Sequence, residues 1–258
     1  MRRTAIAAIC AVVSITALGC SDDSSDSSPT TTDSPASSTE SAPDLSSFGK
    51  LPSPPPAAGP VDCTYPAAEA PAKPVQPPTT TGVSTSDNPT LKVTTNQGPI
   101  GLTLNAAEAP CTVNSFASLT KQGYYNDTPC HRLSTSGLKI LQCGDPTGTG
   151  AGGPGYGYDN EFPSTLFQSD DPASQQPVVY PRGTIAMANT GRPGSNGSQF
   201  FLVYDDSPLP PQYTVFGTID GDGLATLEKI AAAGDDGSIS AGGGKPKTPV
   251  QIQSVTAA

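Results

Sequence analysis

Residues 183–204 of the chain read GTIAMANTGRPGSNGSQFFLVY. Two apolar runs, residues 183–188 and 200–204, flank a loop that is rich in Gly, Pro, Ser and Asn. Apolar runs joined by such residues predict a strand, a long turn and a second strand. Two amide side chains, Asn189 and Gln199, stand where the loop meets the strands. An ordinary hairpin with a polar turn would show the same pattern, so the pattern alone assigns no function.

A second stretch, residues 124–146, reads YYNDTPCHRLSTSGLKILQCGDP. It places His131 beside Arg132 and, after a turn, Gln142 two residues before Gly144. Taken alone, a His next to an Arg is usually structural. The two stretches together, in this order, resemble the signature of the cyclophilin family of peptidyl-prolyl cis/trans isomerases. The resemblance covers residues 89–255 and implies that family's mainly β fold, a closed eight-stranded antiparallel barrel capped by two α-helices.

The resemblance also implies an active site and an activity. Arg132 matches the family's catalytic arginine. The positions that match its substrate-binding residues are Ile140, Gln142, Ala188, Asn189, Gln199, Phe201, Leu209 and Tyr213. The apolar members are expected to hold a proline ring, and the amides to hold the flanking chain. The implied partner is a proline-containing segment of an unfolded or exported protein, and the implied reaction needs no cofactor and no metal.

The chain departs from the family at four places around this site. Cys130 stands where the family has a Phe before the His, and Tyr213 stands where many members have a His. The turn after Arg132 is longer by about two residues, so the family's pocket Phe falls on Lys139 or on Leu138. Pro208 replaces a Trp that the family links to cyclosporin binding, which puts binding of that drug in doubt. These changes keep a second interpretation open, a catalytically weak module that binds proline peptides.

Local patterns predict the remaining elements of the barrel. Residues 90–95 and 100–104 alternate in polarity around a turn, which predicts a hairpin. Residues 110–122 have apolar side chains three apart, a Pro near the start and a Gly just after the end, which predicts a helix. Residues 223–233 predict a second helix, and residues 249–255 a last strand.

The N-terminal part of the chain is expected to lie outside the barrel. Residues 1–19 have a charged start and a short apolar middle, as a secretory signal peptide does. They end in Ala17-Leu18-Gly19 before Cys20, which resembles a bacterial lipobox and makes Cys20 the expected lipidation site. The alternative is a plain cleaved signal and a soluble secreted protein. With Cys20 lipidated, the domain would be exported and anchored to the outer face of the bacterial cell membrane.

Three segments follow the predicted cleavage site. Residues 20–60 are rich in Ser, Thr, Asp and Pro and have few apolar residues, which predicts a disordered tether. Residues 61–88 contain Cys63, Tyr65 and several prolines, which predicts an extended arm. Residues 89–258 are assigned to the barrel domain.

Four cysteines remain after the signal peptide and the lipidation site: Cys63, Cys111, Cys130 and Cys143. An exported protein meets oxidising conditions, so two disulfides are expected. Four cysteines allow three pairings. The hairpin implied by the family resemblance would place Cys130 beside Cys143. We favour that pair together with Cys63–Cys111, which would pin the arm to the domain; a metal site is the weaker alternative, because a CxxC spacing is missing.

Composition and motifs narrow the function classes further. The formal net charge is −10, and six acidic residues against one lysine lie between residues 21 and 60. An acidic chain without a basic cluster argues against a nucleic-acid partner. The GxGxxG match at residues 148–153 is weak, because neither a helix nor the acidic residue of a dinucleotide fold follows. A thiol redox function is disfavoured, because it would need a CxxC motif and the sequence has none. We expect a monomer whose contact with the membrane is through the lipid anchor alone.

Overall fold

The structure is a computed structural model that describes residues 44–258 except residues 55, 57 and 169. The predicted signal peptide, the predicted lipidation site Cys20 and most of the predicted tether therefore lie outside the described residues. Among the helices that are described, none has both the length and the hydropathy that a bilayer crossing requires.

The described residues form twelve strands and two α-helices. In chain order the strands are β1 (Gly49–Lys50), β2 (Thr90–Thr95), β3 (Gly98–Leu104), β4 (Thr128–Pro129), β5 (Arg132–Ser134), β6 (Ile140–Cys143), β7 (Val178–Tyr180), β8 (Thr184–Met187), β9 (Phe200–Val203), β10 (Ser207–Leu209), β11 (Val215–Ile219) and β12 (Gln251–Ala257). The helices are α1 (Pro110–Lys121) and α2 (Gly221–Ala232), and short 3-10 helices cover Leu45–Ser47, Ser164–Leu166 and Pro172–Gln175. Most of the predicted elements are present within one or two residues of their expected bounds.

Nine strands form one sheet in the order β4-β12-β2-β3-β11-β8-β9-β6-β5, and each neighbouring pair is antiparallel. The two edge strands, β4 and β5, are separated in the chain by Cys130 and His131 alone. The chain itself therefore joins the two edges of the sheet. Counted as one interrupted strand, β4 and β5 bring the total to the eight strands of the predicted barrel, which confirms that fold.

Strands β6, β9 and β8 pack against an apolar cluster on each face. Every second residue of these strands lies in the barrel core, as Leu141, Phe200 and Leu202 do. The residues between them, among them Ile140 and Phe201, belong to a second apolar cluster on the opposite face. Because side chains of a strand alternate between its faces, Phe200 and Phe201 serve different clusters although they are neighbours in sequence.

Helix α1 closes one end of the barrel with Phe116, whose ring centroid lies 5.2 Å from those of Phe200 and Phe216. The N-cap residue of this helix, Ala109, has no side chain that can accept its free N–H groups. Glu161, 50 residues away in the chain from Cys111, replaces the cap. Its carboxylate accepts the N–H of Cys111 at 2.9 Å and the N–H and hydroxyl of Thr112 at 2.7 Å. The long loop after β6 is thereby fastened to the start of α1.

Helix α2 begins at Gly221, two residues before the predicted start. Asp220 is the reason, because its carboxylate accepts the N–H of Gly223 at 2.7 Å and so caps the helix two residues earlier than the apolar pattern indicates. The same carboxylate accepts the N–H of Gly101 at 3.1 Å, which fastens α2 to β3.

A second, three-stranded sheet has the order β1-β7-β10 and was missed by the sequence analysis. Its first strand corrects the predicted tether. Gly49 and Lys50 pair in parallel with Val178 and Val179, so these residues are ordered although they lie inside the segment predicted to be disordered. Leu51, which follows this strand, packs against the second apolar cluster and adds an apolar contact to this pairing.

Both favoured disulfides are present, Cys63–Cys111 with Cα atoms 5.6 Å apart and Cys130–Cys143 with Cα atoms 4.0 Å apart. The first joins residues 61–88, which we call the arm, to α1. The second joins the link between the two edge strands to β6. Covalent bonds therefore hold the arm on the barrel and reinforce the point at which the barrel closes.

We expect Glu161→Ala to lower the free energy of unfolding by about 1–3 kcal/mol, because three buried donors at the start of α1 lose their acceptor. Urea unfolding at neutral pH measures this loss. Asp87→Ala, which removes an exposed carboxylate from the arm, is the control and should leave the midpoint within experimental error. Equal effects of the two substitutions would contradict the capping role of Glu161.

Candidate active site

Three adjacent strands place the predicted site residues in one row across the sheet. Arg132 on β5 lies directly opposite Gln142 on β6, and Gln142 lies directly opposite Phe201 on β9. Residues that face each other in antiparallel strands project to the same side of the sheet. A guanidinium, an amide and an aromatic ring therefore share one face of the sheet.

The second apolar cluster forms the floor beside this row. Ile140, Phe201 and Leu209 are buried in it, as predicted, and Ala188 and Tyr213 pack against it half-buried. The Tyr213 ring meets the Phe201 ring edge-on with centroids 5.6 Å apart. Aromatic and aliphatic side chains thus pack together directly beside the row.

The lengthened turn resolves which residue takes the place of the family's pocket Phe. Leu138 is half-buried and packs against the second apolar cluster. Lys139 instead donates its ammonium to the carbonyl of Thr135, within the turn. Of the two alternatives, Leu138 therefore occupies the apolar position.

Tyr180 supports the far side of the floor and was missed by the sequence analysis. Its hydroxyl donates to the carbonyls of Pro210 and Tyr213 at 3.2 and 3.0 Å and accepts the N–H of Tyr213 at 3.3 Å. It is fully buried and holds the segment that carries Leu209 and Tyr213. The apolar run of residues 178–180, which contains Tyr180, is the feature of the sequence that could have indicated a buried strand here.

The Arg132 guanidinium is held by two backbone carbonyls that the sequence analysis also missed. Its Nε donates to Gly242 at 3.1 Å, and its Nη2 donates to Ala241 at 3.3 Å and to Gly242 at 3.0 Å. A Cβ on Gly243 would lie 2.2 Å from the Leu133 carbonyl oxygen, so the loop can approach β5 only with glycine there. Within the described residues, the two N–H groups of Nη1 have no acceptor, which leaves them for a ligand.

A relay of amides orients Gln142. Its Nε2 donates to Gln199 Oε1 at 3.0 Å, and Gln199 Nε2 donates in turn to the carbonyls of Gly150 and Gly152 at 2.9 and 3.1 Å. The side chains of Gln142 and Gln199 are therefore hydrogen-bonded to each other, and their position depends on the loop after β6.

Asp145 shapes that loop. Its carboxylate accepts the N–H groups of Thr147, Thr149 and Gly150 at 2.7, 3.1 and 2.7 Å. Burial by itself would raise the pKa of the Asp145 carboxyl, but the hydrogen bonds from Thr147 and the loop outweigh it and hold the pKa below its ordinary value. The ionised carboxylate therefore persists and keeps the carbonyls of the relay in place.

The Asn189 side chain makes several hydrogen bonds within the protein. Its Nδ2 donates to Asn160, Asn196 and the carbonyl of Gln212 at 3.2, 3.4 and 2.9 Å, and its Oδ1 accepts the N–H of Gly191 at 2.9 Å. The side chain thus ties three loops together. Within the described residues, its backbone N–H and C=O make no hydrogen bond, so the backbone is the part available to a peptide.

His131 lies beside Arg132 in the link that joins the barrel edges. Both of its ring nitrogens are buried, and neither has a hydrogen-bond partner within the described residues. Burial lowers the pKa of His131, the positive charge of Arg132 lowers it further, and Asp145 opposes both. Neutral imidazole is therefore the folded form at neutral pH, and His131 acts as a packed side chain.

The chain is similar to known proteins. The family model described as cyclophilin type peptidyl-prolyl cis-trans isomerase matches residues 90–257. The chain is 58% identical over 200 residues to the probable peptidyl-prolyl cis-trans isomerase B of Mycobacterium leprae, and 55% identical over 199 residues to that of Mycobacterium tuberculosis. These matches cover 76% and 75% of this chain and span 66% and 63% of the two relatives.

Solved structures are similar as well. A cyclophilin type peptidyl-prolyl cis-trans isomerase of Cryptosporidium parvum superposes with a TM-score of 0.54 at 30% identity, covering 67% of this chain and 98% of that one. The same protein solved in the presence of the dipeptide Ala-Pro gives a TM-score of 0.53 at 30% identity, covering 66% of this chain and 98% of that one.

We expect His131 to make the fold less stable as the pH falls through about 6.5, the ordinary pKa of the side chain. The folded state has the lower pKa, so the unfolded chain binds more protons in this range and acidification favours unfolding. His131 is the one histidine of the chain. Urea unfolding at pH 7.5 and 5.5 should show a larger loss for the wild type than for His131→Gln, by the order of 1 kcal/mol. Equal losses in the two proteins would contradict this assignment.

Proposed function

The chain belongs to the family of cyclophilin-type peptidyl-prolyl cis-trans isomerases, and we propose that it catalyses rotation about X–Pro peptide bonds. The observation that carries the proposal is the row of Arg132, Gln142 and Phe201 on one outer face of the sheet. A donor that stays charged, a polar positioning group and an apolar ring floor are the three things that this reaction requires.

The chemistry is a rotation in which no covalent bond is made or broken. Conjugation between the prolyl nitrogen and the carbonyl gives a barrier of about 18–20 kcal/mol. X–Pro bonds are the ones with a useful cis population. A catalyst therefore has to hold the ring, hold the flanking chain and weaken the conjugation in the twisted state.

Arg132 is proposed to weaken the conjugation. As the bond twists, the prolyl nitrogen loses its planar geometry and gains a lone pair that can accept a hydrogen bond. A guanidinium stays protonated and offers several donors. A donor that meets this lone pair stabilises the twisted state more than either planar state, and so lowers the barrier. Lowering it by about 4–7 kcal/mol corresponds to about 10³–10⁵ in rate.

The anchoring of Arg132 supports this role. Nε and Nη2 are occupied by the carbonyls of Ala241 and Gly242, which fixes the plane of the guanidinium. Donors that are oriented before the substrate binds need little reorganisation during the reaction. Nη1 is then the group proposed to reach the substrate.

The remaining residues are proposed to hold the peptide. The proline ring would lie on Phe201, Ile140 and Leu209, with Leu138 and Tyr213 at the side. Gln142, oriented through Gln199, would contact the chain on one side, and the backbone of Asn189 on the other. The apolar contacts select proline, and the polar contacts restrain the segments on either side of the rotating bond.

We also propose that the protein acts outside the cytoplasm on exported proteins that are still folding. Two disulfides support this location, because disulfides persist in oxidising compartments. The apolar N-terminus and Cys20 support export and lipid anchoring. A tether would let the domain reach chains near the membrane surface.

Arg132→Ala should lower kcat/KM for a proline peptide by about 10²–10³-fold, the usual effect of removing one transition-state donor. Exchange spectroscopy by NMR measures the cis–trans rate directly. Arg182→Ala, which breaks the exposed pair with Glu228, is the matched control and should keep full activity.

Two results would change these conclusions. Full activity in a folded Arg132→Ala protein would remove Arg132 from the mechanism. Peptide binding by the wild type without turnover would favour the alternative function, a proline-peptide binding module tethered at the cell surface.

Cys20→Ser should move the protein from the membrane fraction to the soluble exported fraction when the full chain is expressed in its bacterial host. Fractionation and metabolic labelling with a fatty acid measure the two properties. Cys10→Ser, in the predicted signal peptide, is the control and should leave both unchanged. Equal labelling of wild type and Cys20→Ser would contradict lipidation at Cys20.

A further inference from the structure

The arm lies outside residues 90–257, the range matched by the family model, yet it is built into the domain. The disulfide Cys63–Cys111 joins it to α1. Tyr65 is buried next to this bond, and its hydroxyl donates to the Cys111 carbonyl at 2.7 Å. Further along, the Lys73 ammonium donates to the carbonyls of Tyr124 and Asn126. The arm is thus fixed to the barrel at both ends of its central part.

The central part of the arm pairs with the loop after β6. The N–H of Ala68 donates to the Gly155 carbonyl at 3.0 Å, and the N–H of Ala72 donates to the Gly153 carbonyl at 2.9 Å. The N–H of Gly157 donates back to the Pro66 carbonyl at 3.0 Å. These bonds fix the backbone on both sides of Glu69.

The arm and the candidate active site share one cavity of about 580 Å³. Ala68, Glu69 and Ala70 line it from the arm, and Gln142, Asn189 and Gln199 line it from the site. A peptide bound at the site would extend into this cavity with the residues that flank its proline. The arm therefore supplies a wall that a substrate contacts.

Two charged residues line the cavity, Glu69 on the arm and Arg192 in the loop between β8 and β9. In the described part of the chain, the one ion pair within 4.0 Å joins Arg182 to Glu228, so the Glu69 carboxylate has no internal cation. An exposed carboxylate at a fixed position in a substrate cavity is free to pair with a cation of the ligand.

We propose that the arm is a substrate-selecting element and that Glu69 favours substrates with Lys or Arg two or three residues from the proline. This inference rests on the proposed function. It concerns selection among substrates, because Glu69 belongs to the arm and not to the row that would act on the rotating bond. Since the pair would be exposed, its effect should be modest and should weaken with salt.

The test compares two peptides that are identical except for Lys or Glu two or three residues before the proline, and a second pair changed at the same distance after it. The measured quantity is the ratio of kcat/KM for the Lys peptide to that for the Glu peptide, at low salt. For the sensitive pair, Glu69→Gln should lower this ratio by about two- to fivefold, and Glu69→Lys should lower it further. Arg192→Gln should raise it, because the cavity loses its positive charge.

Asp87→Asn is the matched control, since it removes the same charge from an exposed part of the arm outside the cavity. Its ratio should equal that of the wild type. An unchanged ratio in Glu69→Gln with both peptide pairs would overturn the proposal while leaving catalysis intact. If the wild type turned over no peptide, the proposed function would fail instead, and the ratio of dissociation constants from NMR titration would still decide the role of Glu69.

Discussion

The structure depends on strands that are buried on both faces. Strands β6, β8 and β9 have one face in the barrel core and the other against the second apolar cluster, so apolar residues occur on both of their faces. A site on such a sheet is rigid, because the strands are packed on both faces and a shift of a residue on one face would disturb the packing on the other. The outer row of Arg132, Gln142 and Phe201 is therefore held by backbone register more than by contacts among the side chains themselves.

Local patterns in the sequence were sufficient for elements with a regular polarity period or a continuous apolar run. The hairpin of β2 and β3 and the helix α1 follow from polarity periods, and β8 and β9 from apolar runs around a turn. The site residues came from two motifs that become adjacent through strand order. The groups that hold the site in place, Tyr180 and the carbonyls of Ala241 and Gly242, were not predicted. They act through contacts between segments that are distant in the chain, and a local sequence pattern does not indicate such contacts. Gly49 and Lys50 were not predicted for a related reason, since they pair with β7, which is distant in the chain.

Several parts of the site are held by backbone carbonyls and amides and not by ion pairs. The guanidinium of Arg132 rests on two carbonyls, Gln199 rests on two others, and Asn189 uses its whole side chain to tie loops together. Carbonyls keep their partial charge at every pH, so this kind of support does not titrate. The ionised Asp145 is the exception, and it is stabilised by the N–H groups of the loop that it organises.

The order of strands also affects when the site is completed during folding. Strand β12, the last of the chain, pairs with β2 and with β4, and β4 leads through two residues to Arg132. Contacts between Thr128 and Ile252 join segments far apart in sequence, and such contacts form late because a long loop must close first. A chain that emerges from a ribosome or a translocon with its N-terminus first has no completed barrel until residues 251–257 have emerged. The ring of strands is thus completed last where β12 pairs with β4, next to the link that leads to Arg132.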